Sequence, residues 1–110
     1  MATADLDPLL LDPTRLSIVA LLAGTEWAEF SWVRDSAGLS DSALSKQITN
    51  LAGRGYIEIK KGYVGKRPRT WLTLSATGHQ VLRAHVAALR QIVEQSQQAG
   101  KAHHASEPSV

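Results

Sequence analysis

Cysteine is absent from this chain of 110 residues, which removes disulfides, thiolate metal sites and a cysteine nucleophile. Lys and Arg are absent from the first twelve positions, where Asp5, Asp7 and Asp12 stand. The start of the chain therefore lacks the basic n-region of a secretory signal. Long apolar runs are absent too, the longest being Ile18 to Ala23, far short of a membrane span. These absences point to a cytoplasmic protein with no membrane partner. No Ser stands in a suggestive arrangement with His and Asp, no glycine-rich loop is shaped to cradle phosphate, and the carboxylates read as helix caps or surface charge. An enzyme is not expected. His79 and His85 stand six positions apart with no Asp beside either, so neither a metal site nor any other cofactor is expected.

What is present is enough apolar material, 44% with three Trp, for one folded domain with a single modest core. The charge is unevenly placed. Residues 1–39 carry a net −4, residues 40–75 a net +5, and residues 76–110 a net +1. Segregation of this kind makes an electrostatic footprint for a polyanion.

The basic segment opens with SDSALSKQITNLAGRG, from Ser40 to Gly55. Ser40 offers an N-cap hydroxyl. Leu44, Ile48 and Leu51 recur at helical spacing, and glycine follows the last of them as a stop. The opposite side carries Ser42, Lys46, Thr49 and Asn50, with Ser45 and Gln47 on the flanks. Such a helix is anchored on one side and offers short polar and basic groups on the other.

Its neighbours give it a context. Residues 1–11 read as an N-terminal arm. Asp12-Pro13 starts a first helix with Leu16, Val19, Ala20, Leu22 and Ala23 on its apolar side and Gly24 at its end. Thr25 to Phe30 reads as short and extended. Ser31 is expected to cap a second helix, Trp32 to Ala37, and only Gly38, Leu39 and Ser40 separate it from the next. That is a helix-turn-helix pattern. After Gly55 the period becomes alternating. Tyr56 to Lys60 and Thr70 to Leu74 read as strands flanking a basic loop that holds Lys66, Arg67 and Arg69. Ser75 is expected to cap a last helix, in whose first turn Gly78 is tolerated. Its stripe of Val81, Leu82, His85, Val86, Leu89, Ile92 and Val93 fades near residue 98. Beyond it, 99–110 reads as a disordered tail.

The predicted fold is mainly α with a small β-hairpin (α+β), a winged helix-turn-helix over 12–75 followed by a long C-terminal dimerisation helix over 76–98. DPTRLSIVALLA, GLSDSALSKQITNLAGRGYI, KKGYVGKRPRTWLTLSATG and the apolar helix after them resemble the small winged-helix transcriptional regulators of the ArsR and MarR groups. The resemblance implies a homodimer that binds operator DNA. Carried over by position, it implies a recognition helix over 42–53, with Ser42, Ser45, Lys46, Gln47 and Asn50 in or beside the major groove. It also implies a basic wing over 62–69 that sets Lys66, Arg67 and Arg69 on flanking DNA. Many relatives carry His or Arg beside the Ser45 position and a charge near Ala52; here Lys46-Gln47 and Ala52 stand there instead. Lys46 suits guanine and Gln47 adenine.

The stripe on the last helix is longer than so small a core can cover. Pairing with a second copy would bury it under two-fold symmetry, and this assigns Leu9, Leu10, Leu82, Val86, Leu89, Ile92 and Val93 to a dimer interface. A dimer of this kind predicts double-stranded DNA with a palindromic operator as partner. Two alternatives share the fold: a protein-interaction module without DNA contact, and a form of the same regulator that responds to a small-molecule effector. Trp27 and Trp32 are expected in the core or an interface, where such an effector could bind beside them.

Overall fold

The computed structural model of the chain describes residues 5–103. Its elements run α1 (Pro13–Ala23), β1 (Ala28–Glu29), α2 (Phe30–Ala37), α3 (Asp41–Gly53), β2 (Ile57–Val64), β3 (Arg67–Leu74) and α4 (Ala76–Lys101), after a 3-10 turn at Pro8–Leu11. The strands form an antiparallel sheet in the order β1-β3-β2.

Short-range chemistry sets most of the boundaries. The Asp12 carboxylate accepts the Arg15 N–H at 2.9 Å and Pro13 opens α1. Ser40 accepts from Ala43 N–H at 3.1 Å to start α3, and Ser75 accepts from Gly78 N–H at 3.0 Å to start α4. Each satisfies an otherwise orphaned donor of a first turn. Gly38 closes α2 in the left-handed region at φ 68°, where a residue with a Cβ is strained. The Leu39 N–H then returns to Arg34 O at 3.0 Å. The second helix begins two residues earlier than its serine suggests, at Phe30. Glu29 occupies the N-cap without a side-chain bond, because β1 pairs Ala28 with Leu72 and Glu29 with Trp71 and delivers the chain into the helix from there.

Ile18, Val19 and Leu22 of α1, Val33 of α2, Leu44, Ile48 and Leu51 of α3, and Ile57, Leu72 and Leu74 of the sheet form one core. Burying each aliphatic side chain of this set contributes about 1.5–3 kcal/mol. Leu10 belongs to it as well, 1% exposed. The 3-10 turn folds onto α1 and drives this leucine inward, so Leu10 is a core residue with almost no surface left to offer a partner. Leu9 packs against the same cluster, whereas Leu11 is exposed.

The hairpin is longer than the expected strands. β2 and β3 pair through Val64↔Arg67, leaving only Gly65 and Lys66 as the turn. Gly65 has φ 62° and no non-glycine residue among those described has positive φ, which suits a tight hairpin turn with glycine first. Most of the expected basic loop is therefore strand. Pro68 is tolerated in β3 because β1 reaches only to Trp71, so one side of β3 is an edge there.

Gly78 is required rather than tolerated. A Cβ there would lie 2.3 Å from Tyr56 O and 2.5 Å from Leu74 Cδ1, so its absence lets α4 sit directly on the base of the hairpin. His85, one turn further on from Val81, is fully buried and its Nδ1 accepts the Asp7 N–H at 3.0 Å. Past Ala88, the last buried residue of α4, the helix projects from the domain and gives the molecule extents of 74 × 30 × 20 Å. α4 remains helical through Lys101, beyond the expected end at 98; residues 104–110 of the expected tail lie outside the described residues. Trp27 and Trp32 are 45% and 47% exposed, not core. No helix among the described residues is long and apolar enough to cross a membrane.

Candidate nucleic-acid interface

The core side of α3 is Leu44, Ile48 and Leu51, and the opposite side presents Ser42, Ser45, Lys46, Thr49 and Asn50 to solvent. Asn50 and Lys46 make no side-chain bond among the described residues, while Thr49 Oγ1 donates to Ser45 O at 2.9 Å. Gln47 is different. It is half-buried, and its Oε1 accepts from Arg15 Nη1 at 3.3 Å; Arg15 also donates from Nε to Leu9 O at 2.7 Å. Gln47 thus ties α3 to α1 and the 3-10 turn, on the flank of the helix away from its exposed side.

The start of α3 is held by an ion cluster. Arg34 of α2 meets Asp35 at 2.9 Å and Asp41 at 2.8 Å. These hydrogen bonds to both carboxylates raise the Arg34 pKa, and the bond from Arg34 lowers that of Asp35. Asp41 is in the first turn of α3, where a carboxylate favours the helix dipole. Its pairing with Arg34 spares the exposed side of α3 an uncompensated negative charge.

In the hairpin, Lys66 and Arg67 are exposed and carry no ion pair among the described residues. Arg69 does carry one, its Nε lying 2.6 Å from Glu29 Oε1. It is a partly committed cation, a feature that requires β1 beside β3 and so is invisible in the local sequence. Lys61 lies where the expected loop would have left it unplaced. It shares the face of Ile57 and Ile59, pairs with Thr70 in register, and lines a groove of about 350 Å³ with Phe30, Ser45, Ile48, Thr49, Ile59, Thr70 and Leu72. The signal was its spacing, two positions beyond Ile59. This groove joins α3 to the hairpin, so Ser45, Thr49 and Lys61 belong to one surface. Among the described residues no group of His, Asp and Glu is arranged to hold a metal ion.

Residues 14–93 match the winged helix DNA-binding domain family. The chain belongs to that family. An uncharacterized protein of Methanocaldococcus jannaschii is 27% identical over 78 residues, which span 71% of this chain and 85% of that protein. Among solved structures, the transcriptional regulator homologue from Pyrococcus horikoshii OT3 superposes with a TM-score of 0.73 at 24% identity, covering 79% of this chain and 86% of that one. A point mutant of Lactococcus lactis ZitR, solved in complex with DNA, gives 0.56 at 19% identity over 83% of this chain and 61% of that one. ZitR is also described as a zinc-responsive MarR family member. At these identities the structural likeness establishes the shared winged-helix fold, in agreement with the resemblance carried by the sequence.

Proposed function

We infer that the protein is a homodimeric, sequence-specific transcriptional regulator that lays α3 in a major groove and its hairpin over flanking DNA. The observation that carries this reading is the exposed side of α3 joined to the hairpin by the groove that Ser45, Thr49 and Lys61 line, with the uncommitted cations Lys66 and Arg67 at the hairpin's tip. Lys46, Asn50, Ser42 and Ser45 are the side chains that reach bases or their rims, Lys66 and Arg67 neutralise phosphates, and Arg69 does so only when released by Glu29. Base contacts specify and phosphate contacts position. The helix with few charges therefore reads, and the hairpin supplies much of the affinity.

The dimer is supported by the second half of α4. Leu82 packs on the subunit's own core, whereas Val86, Leu89 and Ile92 are half-covered and Val93 is 53% exposed. Leu89 and Val93 line an open groove with Arg90, Glu94 and Gln97, and a second α4 would fill it under two-fold symmetry. Two reading heads then face half-sites about one helical turn, ~10 bp, apart. A selection from random DNA with the purified protein is expected to enrich a palindrome; a pool with no enriched sequence would refute the reading. A protein-interaction module without DNA contact would show no salt-dependent affinity for DNA at low ionic strength.

A further inference from the structure

The 3-10 turn at Pro8–Leu11 is held from two sides, and the two holds lead to different helices. On one side Asp7, its N-cap, donates its N–H to Nδ1 of the fully buried His85 on α4 at 3.0 Å. An Nδ1 that accepts leaves the ring proton on Nε2, and Nε2 has no hydrogen-bond partner among the described residues. On the other side the Leu9 carbonyl accepts from Arg15 Nε at 2.7 Å, and the same guanidinium donates through Nη1 to Gln47 Oε1 at 3.3 Å. Among the described residues only two side-chain bonds tie α3 to another element: Asp41 to Arg34 at its start and Gln47 to Arg15 halfway along. The second of them depends on a guanidinium whose Nε is fixed by the turn. His85 itself makes no hydrogen bond to α3 or to Arg15.

We propose that the turn is a strap that seats α3 for DNA binding, with His85 and Arg15 as positioning residues that act through Asp7, Leu9 and Gln47. This rests on the DNA-binding reading above and adds how α3 is held for it. An imidazole that gives one nitrogen to a backbone N–H and leaves the other unpartnered is a poor choice for stability alone, because a buried orphan donor costs more than a hydrogen bond gains. A leucine at the same place would remove the orphan. It could not hold the Asp7 N–H, and with it the Leu9 carbonyl in front of Arg15. A closed strap orders α3 before DNA arrives, so the cost of ordering it does not fall on binding.

His85→Leu and His85→Asn, made in the full chain, separate positioning from packing. Leucine removes the acceptor, and asparagine keeps one at about the same reach. In the free protein, His85→Leu is expected to quicken amide exchange at Leu10, whose N–H bonds Asp7 O at 3.0 Å, and to shift the Gln47 side-chain amide signal. Its Tm should stay within about 4 °C of the parent. Affinity for duplex DNA is expected to fall about threefold to tenfold, the scale of one hydrogen bond. The order of preferred sequences and the log–log salt slope should not change, since no phosphate contact is lost. His85→Asn is expected to restore exchange, signal and affinity. Arg15→Met cuts the relay at its other end and is expected to cause a similar loss at the parent's salt slope. The double variant should bind no more weakly than the weaker single one. The proposal is overturned if the Gln47 signal stays in place while Leu10 exchange quickens, if affinity is unchanged or falls only in step with Tm, or if asparagine fails to restore it. It is overturned too if Arg15→Met lowers the salt slope or if the two losses add. A parent that binds no DNA refutes the DNA-binding reading, and the Leu10 and Gln47 signals of the free protein then still decide whether the strap and α3 are coupled.

Discussion

Tyr56 joins three segments through one hydroxyl. It donates to the Asp7 carboxylate, which also accepts the Leu9 N–H at 2.9 Å, while the Asp7 N–H goes to His85. The bond to Asp7, and then burial, push the Tyr56 phenol above its usual value of 10.0. A raised phenol pKa means that folding favours the neutral form, so this contribution is complete below the ordinary phenol range and is lost as pH rises through the folded value. Tyr56→Phe is expected to lose about 1–2 kcal/mol at neutral pH, with the gap to the parent closing above pH 10; urea denaturation at both pH values checks it. Gly78→Ala is decided by magnitudes. Helix propensity favours alanine by about 1 kcal/mol, but a Cβ 2.3 Å from a backbone oxygen forces overpacking of about 1–3 kcal/mol or more, so the substitution is expected to lower Tm. Spacing identified Lys46 and Asn50 as outward residues and Gln47 as a flanking one. It could not show that Arg15 would arrive to engage Gln47, nor that Tyr56 O would lie over Gly78, because both partners are distant in sequence. Lys46→Ala is accordingly expected to relax sequence preference in a DNA selection, and Gln47→Ala to leave it largely unchanged while loosening α3 against α1.

Among elements, α1, α3 and α4 were legible because each announces itself twice, with a capping Asp or Ser and an apolar stripe of the right period. The hairpin was legible in kind but not in length. Glycines, a proline and clustered cations normally punctuate strands, and only the pairing of Val64 with Arg67 shows that the ladder continues through them. β1 is legible only as part of an extended stretch, because two residues have no period. Yet β1 supplies the Glu29 that holds Arg69. That gives the hairpin a graded set of cations. Arg67→Ala is expected to weaken all DNA sequences alike and to reduce the log–log salt slope by about 0.9. Arg69→Ala is expected to do less, and Glu29→Gln to increase affinity by freeing Arg69. Anisotropy titrations over a salt series on specific and scrambled duplexes separate these outcomes.

For the whole molecule, the apolar stripe of α4 foretold more surface than one core covers, and the projection of the helix past Ala88 agrees with that. What covers the stripe is not written in one chain. Val93→Glu and Leu89→Glu, each placing a charge in the proposed seam, are expected to yield a monomer by sedimentation velocity. The Tm should then cease to depend on concentration. The projecting helix also has a metric consequence. At 1.5 Å per residue its 26 residues span about 39 Å, and one inserted residue turns everything beyond it by about 100°. Inserting a single alanine after Arg90 would swing Ile92 and Val93 out of the seam. Inserting four would bring them back to within about 40° of phase and about 6 Å further along the axis. α4 would then behave as a ruler whose graduations are helical turns, setting how far apart two copies of α3 can be held and therefore which operators the protein is able to measure.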